Sequence, residues 1–540
     1  MVAAGSPPAF SLHNMKFYSR ALENRYDRHD PAVHGARHAF LRAALINFVQ
    51  LQLLFLGIFS YIFGAIFQQS SHAHNLHVLY VDYDHGTVGQ AVRNASQSLQ
   101  GQGFPTVVEH SQADYPTPND LRHAVCKKGY WAALFTSAGA STRLEAATSG
   151  LADASLYNKS DALAFIWNEA HYPTIADTVI AGNMKTISDA ARLAYSATNG
   201  SDVVQSLAAS SALSPAAISA FADPWHLTSD NIQPTTQGSR LIYNTIVILL
   251  LLIQEFFYLG TINGLYVQFR IFSRIHPLRI ALVRLALSLA YTLVGSLCTA
   301  GVVWAFRAGW AVSGAQFALT WAALWLFAHA NFLTLDIFAL WLPPAYVPMA
   351  LIAWAMLNVA SILVPLELAP AFYRWSYALP AHEVFQVLVD VWSRGCNPQL
   401  RHALPVLFAY EVVGLASSVW GAWRRCHYAV IAEEAQEKSL MTKVEERLAV
   451  ERQVCVGEKG VTPSRNQVGE ELRTESDKSG AAKEDGAPLP EQEADVMARE
   501  EQREIRRMRT MERRASMGPS FQLAFGNLES GGRTPQKRGT

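Results

Sequence analysis

The sequence predicts an α-helical polytopic membrane protein with six spans, an inserted extracytoplasmic α/β domain, and a disordered, partly helical cytoplasmic tail. Three observations predict it. Six stretches are apolar over about the 20 residues that a bilayer crossing needs. Lys and Arg gather at one set of span ends, the side that stays cytoplasmic. The three Asn-x-Ser/Thr sequons (Asn94-Ala-Ser96, Asn158-Lys-Ser160 and Asn199-Gly-Ser201) all lie between the first two apolar stretches, and a sequon acts only where the chain faces a secretory lumen. Of the 540 residues 50% are hydrophobic and 16% charged, against about 25% charged in soluble domains. The 44 basic and 44 acidic residues balance, which excludes bulk nucleic-acid binding.

Residues 1–43 form a cytoplasmic segment carrying Lys16, Arg20, Arg25, Arg28, Arg37 and Arg42. Residues 44–67 are the first span. It begins after a long polar segment and exceeds the roughly 7–15-residue core of a cleavable signal, so it reads as a signal anchor. Residues 68–240 read as the extracytoplasmic domain, in which strand and helix patterns alternate. Strands are expected at 75–84, 104–109, 130–136 and 161–167. Helices are expected at 87–99, after a cap at Thr117 or Asn119, at 141–148 and at 175–197.

Residues 241–428 hold five further spans, at 241–260 (extending toward 267), 280–306, 317–341, 347–368 and 403–423. Arg270, Arg274 and Arg279 follow the second span, and Arg424 and Arg425 follow the sixth. Six crossings put every basic cluster, and both termini, in the cytoplasm. The tail, 429–540, is charged, with helical patterns at 433–451 and 492–514 around a disordered middle. Arg513-Arg514-Ala-Ser516 matches a basophilic-kinase site, where phosphate adds about −1.5 to −2 charges.

No Walker A, His-Glu-x-x-His or Gly-x-Ser-x-Gly motif occurs, so neither an enzyme nor a built-in ATP motor is expected, and no cofactor or metal. Five cysteines make no disulfide framework. Cys126 and Cys396 share the outer side, either as a disulfide or as two separate thiols. Ionisable residues within spans are Glu255, Arg284, His329, Asp336 and Glu411. Each costs about 2.5–3.5 kcal/mol at mid-bilayer on insertion scales, so each faces a partner, a cavity or water. They read either as a substrate or proton path or as packing glue. A buried pair between Arg284 and one of the two nearer acids is expected, whereas Glu411 has no evident partner.

After the fifth span the chain runs Asn358-Val-Ala-Ser-Ile-Leu-Val-Pro365-Leu-Glu367-Leu-Ala-Pro370-Ala-Phe-Tyr373-Arg374-Trp375-Ser-Tyr-Ala-Leu-Pro380. Its prolines forbid one straight helix, and its aromatics with Arg374 suit a membrane–water interface. A re-entrant or interfacial segment at 369–395 follows, as a helical pair near 370–377 and 381–392. This stretch resembles the fungal nitrosoguanidine-resistance family, whose membrane region is similar to the type-2 ABC permeases. The likeness extends to the strand ending in Asp82 and Asp84, the run Trp131-Ala-Ala-Leu-Phe, and Trp167-Asn168-Glu169. It departs at Gln233, where a basic residue is expected ahead of Pro234.

The resemblance implies a plasma-membrane protein linked to resistance to toxic amphipathic compounds and to lipid distribution between leaflets. It also implies a homodimer. Energy would come from a proton gradient or a separate ATPase subunit. The alternative is a non-transporting scaffold or regulator that binds a partner through its ectodomain.

Overall fold

The computed structural model describes residues 30–149, 154–209, 214–235, 246–307, 310–343 and 346–458. Ser516 and the expected helix at 492–514 lie outside them. The chain divides into two units, residues 1–60 and 61–540. The first contributes most of helix α1 (Pro31–Ala65). Phe40, Leu45, Phe48, Leu53 and Phe59 are exposed along it, the surface of a helix whose solvent is hydrocarbon.

The second unit opens on a five-stranded sheet of order β2-β1-β3-β4-β5, formed by β1 (His77–Asp82), β2 (Thr106–His110), β3 (Ala132–Thr136), β4 (Leu163–Trp167) and β5 (Leu227–Asn231). β1 pairs in parallel with β2 and β3, β4 runs antiparallel to β3, and β5 runs parallel to β4. Between them lie α2 (Thr87–Leu99), α3 (Pro118–Lys127), α4 (Ala140–Ser149), the single turn α5 (Pro173–Ile175), α6 (Gly182–Ala209) and α7 (Pro215–Ala222). A π-helical stretch, Ala176–Ala181, leads into α6. β1 departs from its expected alternation: Val78, Leu79, Tyr80 and Val81 are all buried. Val78 and Tyr80 share a core with Val88 and Val92 of α2, whereas Leu79 and Val81 share one with Leu121 and Val125 of α3. A strand covered on both faces reads as a continuous apolar run. α3 starts at a capping box between Thr117 and Asp120, with Pro118 in the first turn. β5, Leu-Thr-Ser-Asp-Asn, was not expected from the sequence; as an edge strand with three exposed central residues it carries little apolar signal.

The rest of the unit is helical: α8 (Val247–Gln268), the one-turn α9 (Ile271–Arg274), α10 (Pro277–Ala305), α11 (Gly314–Trp341), α12 (Val347–Ala360), α13 (Pro380–Trp392) and α14 (Leu400–Glu458). Among the described residues five helices (α1, α8, α10, α11 and α14) are long and apolar enough to cross a membrane, the build of a polytopic membrane protein. α11 is the hub, with 67% of its most apolar stretch buried against 39% for α10 and 17% for α14.

Two expectations change. α12 ends at Ala360 after 14 residues, short of the expected 347–368, because the residue before Pro365 is steered out of the α region. The chain then forms a 3₁₀ stretch, Ala371–Ala378, and α13. The expected sixth span and first tail helix merge into the single 59-residue α14, since no Gly or Pro interrupts residues 422–456.

Candidate functional site

Much of the buried polar content of the bundle lies on facing sides of α10, α11 and α14, while Glu255 and Asn263 are buried on α8. On α10, Arg284, Ser288, Thr292 and Ser296 recur every fourth residue, one face of a helix; all are within 1% of full burial. Leu282, Val283, Leu287 and Val294 on the same helix are exposed. The small members satisfy themselves on backbone: Thr292 Oγ1 donates to Ser288 O at 2.8 Å and Ser296 Oγ to Leu293 O at 3.0 Å.

α11 and α14 approach closely because glycine stands at the contact. A Cβ at Gly414 would sit 2.6 Å from Leu333 Cβ, and one at Gly421 2.9 Å from Leu340 Cδ2. That approach brings Glu411 to His329, correcting the expectation that Glu411 has no partner. His329 Nδ1 lies 2.6 Å from Glu411 Oε1, and Nε2 lies 3.1 Å from Ser288 Oγ. The Ser288 hydroxyl donates to Leu285 O at 2.9 Å. Ser288 Oγ is then left to accept from Nε2–H, and His329 Nδ1 and Glu411 Oε1 share a hydrogen bond on the other side of the ring. Glu411 Oε2 is buried without a partner.

Two turns along, Asp336 pairs with Arg284 at 2.6 Å, as expected, and also with Arg425 at 2.7 Å. Arg425 was read only as a topology signal. Glu255 joins neither group: it is 0% exposed and neither carboxyl oxygen has a hydrogen-bond partner. The expected path residues therefore fall into three places.

The Asn358–Pro380 signature acts as a joint. Asn358 Oδ1 accepts from the Ala381 N–H at 3.1 Å, satisfying an orphan donor at the start of α13; Pro380 fills the first position there. Pro365 is buried, and Pro370 caps the 3₁₀ stretch. Tyr373 donates to Tyr61 O at 2.7 Å, and the Glu367 carbonyl accepts from Asn75 at 2.9 Å. Arg374 and Trp375 are exposed. Cys126 and Cys396 form a disulfide, beside Lys127 donating to Gly395 O at 2.5 Å. At this joint burial lowers His171 and His382 to about 4, while desolvation lifts Glu383 to about 7.

In the sheet region, the crevice past the ends of β1 and β3 is where such folds receive ligands. It is filled by the chain's own groups. Asp82 accepts from the N–H of Asp84 and His85, from Thr136 and from Arg93. Asp84 accepts from the Ser141 N–H at 2.8 Å, and Ser141 Oγ accepts from the Val88 N–H at 2.9 Å. The Val88 N–H of α2 and the Ser141 N–H of α4, where an anion would dock, are thus already engaged. Glu169 ties β4 to Asn231 at 2.7 Å and to the Thr235 hydroxyl at 2.6 Å. Gln233 is buried; with its amide turned, it joins Trp392 O at 2.9 Å and Trp310 Nε1 at 3.0 Å. Of the sequon residues, Asn94 and Asn158 are exposed and Asn199 half-buried.

Residues 47–416 match the family described as "Protein of unknown function (DUF3533)". No curated protein and no solved structure matches.

Proposed function

The chain belongs to the DUF3533 family, and we propose that it is a plasma-membrane protein that contributes to export of, or resistance to, toxic amphipathic compounds by affecting lipid distribution between leaflets. Kinship to the nitrosoguanidine-resistance proteins and the type-2 ABC permeases is part of this proposal. So are six crossings, cytoplasmic termini, an extracytoplasmic α/β domain glycosylated at Asn94, Asn158 and Asn199, and a homodimer. The observation that carries the reading is the contact of buried His329 with half-buried Glu411, linked through Ser288 to α10. An ionisable pair in hydrogen-bond contact across two helices of the bundle is suited to couple proton movement to transport in a chain without a nucleotide-binding motif.

The test is efflux of a fluorescent amphipathic drug and a labelled phospholipid from cells expressing wild type or Glu411→Gln, matched for surface level, with and without an uncoupler. Transport lost in both the mutant and the uncoupled cells supports the reading. Transport that survives uncoupling but needs nucleotide points to a separate ATPase subunit. No difference from cells lacking the protein favours the scaffold. That second reading has its own support in the joint, where a disulfide and hydrogen bonds from Lys127 and Asn75 tie the sheet region to the bundle.

A further inference from the structure

Two arginines in this bundle share one aspartate. Arg284 Nη2 and Arg425 Nη2 both bind Asp336 Oδ1, at 2.6 and 2.7 Å, and Arg425 Nη1 reaches Oδ2 at 3.4 Å. Among the described residues no other acidic side chain pairs with either guanidinium. The cluster therefore holds one unmatched positive charge, with the Arg284, Arg425 and Asp336 side chains only 1%, 10% and 3% exposed. A buried carboxyl or imidazole sheds such a charge by titrating, but a guanidinium does not. The missing counter-charge must come from outside the cluster. Arg284 also keeps Nε and Nη1 buried with no acceptor. The rings of Tyr266 and Phe332 lie 5.7 and 5.6 Å from its guanidinium carbon, so an acceptor would bind at the guanidinium edge.

We propose that the Arg284–Asp336–Arg425 cluster binds a singly charged phosphate ester, the headgroup phosphate of a phospholipid in the cytoplasmic leaflet. The inference deepens the transport reading by naming a ligand class, and it rests on that reading for orientation alone. In that orientation Arg284 lies near the start of α10, Asp336 near the end of α11 and Arg425 just past the apolar part of α14, all at headgroup depth. One phosphodiester neutralises the cluster, and the planar arginine fork matches its oxygens. Exposed Leu282, Val283 and Leu287 stand at the same level of α10, where acyl chains would lie. Free phosphate offers the same oxygens without those chains.

The full chain, purified in mild detergent, would be washed and its retained lipid measured by phosphorus NMR. It would then be offered radiolabelled phosphatidylglycerol, diacylglycerol or inorganic phosphate, and the bound label counted. Wild type is expected to retain phospholipid and to prefer phosphatidylglycerol over diacylglycerol, which lacks the phosphate. Arg425→Gln should lower retention at least about tenfold, the scale of one charge-assisted contact. Asp336→Asn should raise it by freeing a second guanidinium. Arg424→Gln should leave it unchanged, since Arg424 lies over Trp341 and Tyr428. Phosphate binding that depends on Arg425, with no selective lipid retention, assigns the site to free phosphate. Equal binding of phosphatidylglycerol and diacylglycerol, or Arg425→Gln retaining lipid as wild type does, overturns the proposal. Arg425→Gln carries the test in preference to a change at Arg284, because the Arg425 side chain is the more exposed of the two. No gradient enters the assay, so a failure of efflux leaves its result intact.

Discussion

Glu411 and Glu383 are both poorly solvated acids, and their surroundings give them opposite roles. Glu411 faces His329 at 2.6 Å. A glutamine there keeps a hydrogen bond to the ring while removing the ionisable carboxyl. Glu411→Gln is therefore expected to fold within about 1 kcal/mol of wild type and to lose proton-dependent efflux. A melting curve beside the efflux trace checks both halves. Glu383 is 3% exposed and desolvation raises it from 4.5 to about 7. The charged form is thus penalised in the folded state: stability is greatest below about 4.5 and falls as pH rises through about 7. His171 and His382 act the other way, held neutral by burial at about 4 against an ordinary 6.5, so their contribution is lost as pH falls below 6.5. Glu383→Gln is expected to raise the melting temperature at pH 8 and leave it unchanged at pH 4. Its ceiling is about 3.5 kcal/mol, at about 1.4 kcal/mol per pH unit. Equal shifts at both pH values would remove Glu383 from the account.

At the scale of elements, what the sequence disclosed depended on whether a signal was local. The α2 bounds were legible because Gly86 and a 3.6-residue pattern mark them, and the α3 start because Thr117 and Asp120 cap it. β5 was not, since an edge strand with polar faces looks like loop. The His329–Glu411 pair was missed for a different reason: the partners are 82 residues apart. A periodic signal did exist. His329 and Asp336 are seven residues apart, Glu411 and Arg425 fourteen, near whole multiples of two turns, so the two acids and their partners recur on facing stripes. Gly414 and Gly421 set how closely those stripes meet. Gly414→Val should force α14 off Leu333, costing about 1–3 kcal/mol and lengthening the His329–Glu411 contact. Adding Leu333→Gly, which removes the Cβ that the new side chain would meet at 2.6 Å, should restore part of both stability and efflux. Stability without efflux in the double variant would mean the contact does not serve transport. In the signature, Asn358→Ala should cost about 1 kcal/mol through the lost cap on α13, read as a lower melting temperature.

At the scale of the whole molecule, the disulfide bears on the number of crossings. Cys126 and Cys396 are bonded, so they stand on one side of the membrane, and disulfides persist where that side is oxidising. Between them the chain passes through α8, α10 and α11, each long enough to cross. Three crossings would part the two cysteines, so the proposed six-span topology requires α12 to supply a fourth. With 14 residues it spans about 21 Å at roughly 1.5 Å per residue, less than the usual hydrocarbon thickness of about 30 Å. The shortfall is met either by local thinning of the bilayer or by the chain after Ala360 lying within the outer half against protein. The buried Ser361, Ile362 and Val364 favour the second, since non-helical backbone at membrane depth needs protein around it. The parity argument is tested in a chain with Cys298, Cys426 and Cys455 replaced by Ala, on intact cells, with an impermeant reductant followed by an impermeant maleimide. Both Cys126 and Cys396 should label, and only after reduction. Labelling of Cys126 without Cys396 would mean that the bond does not form in the cell and that α12 turns back within the membrane.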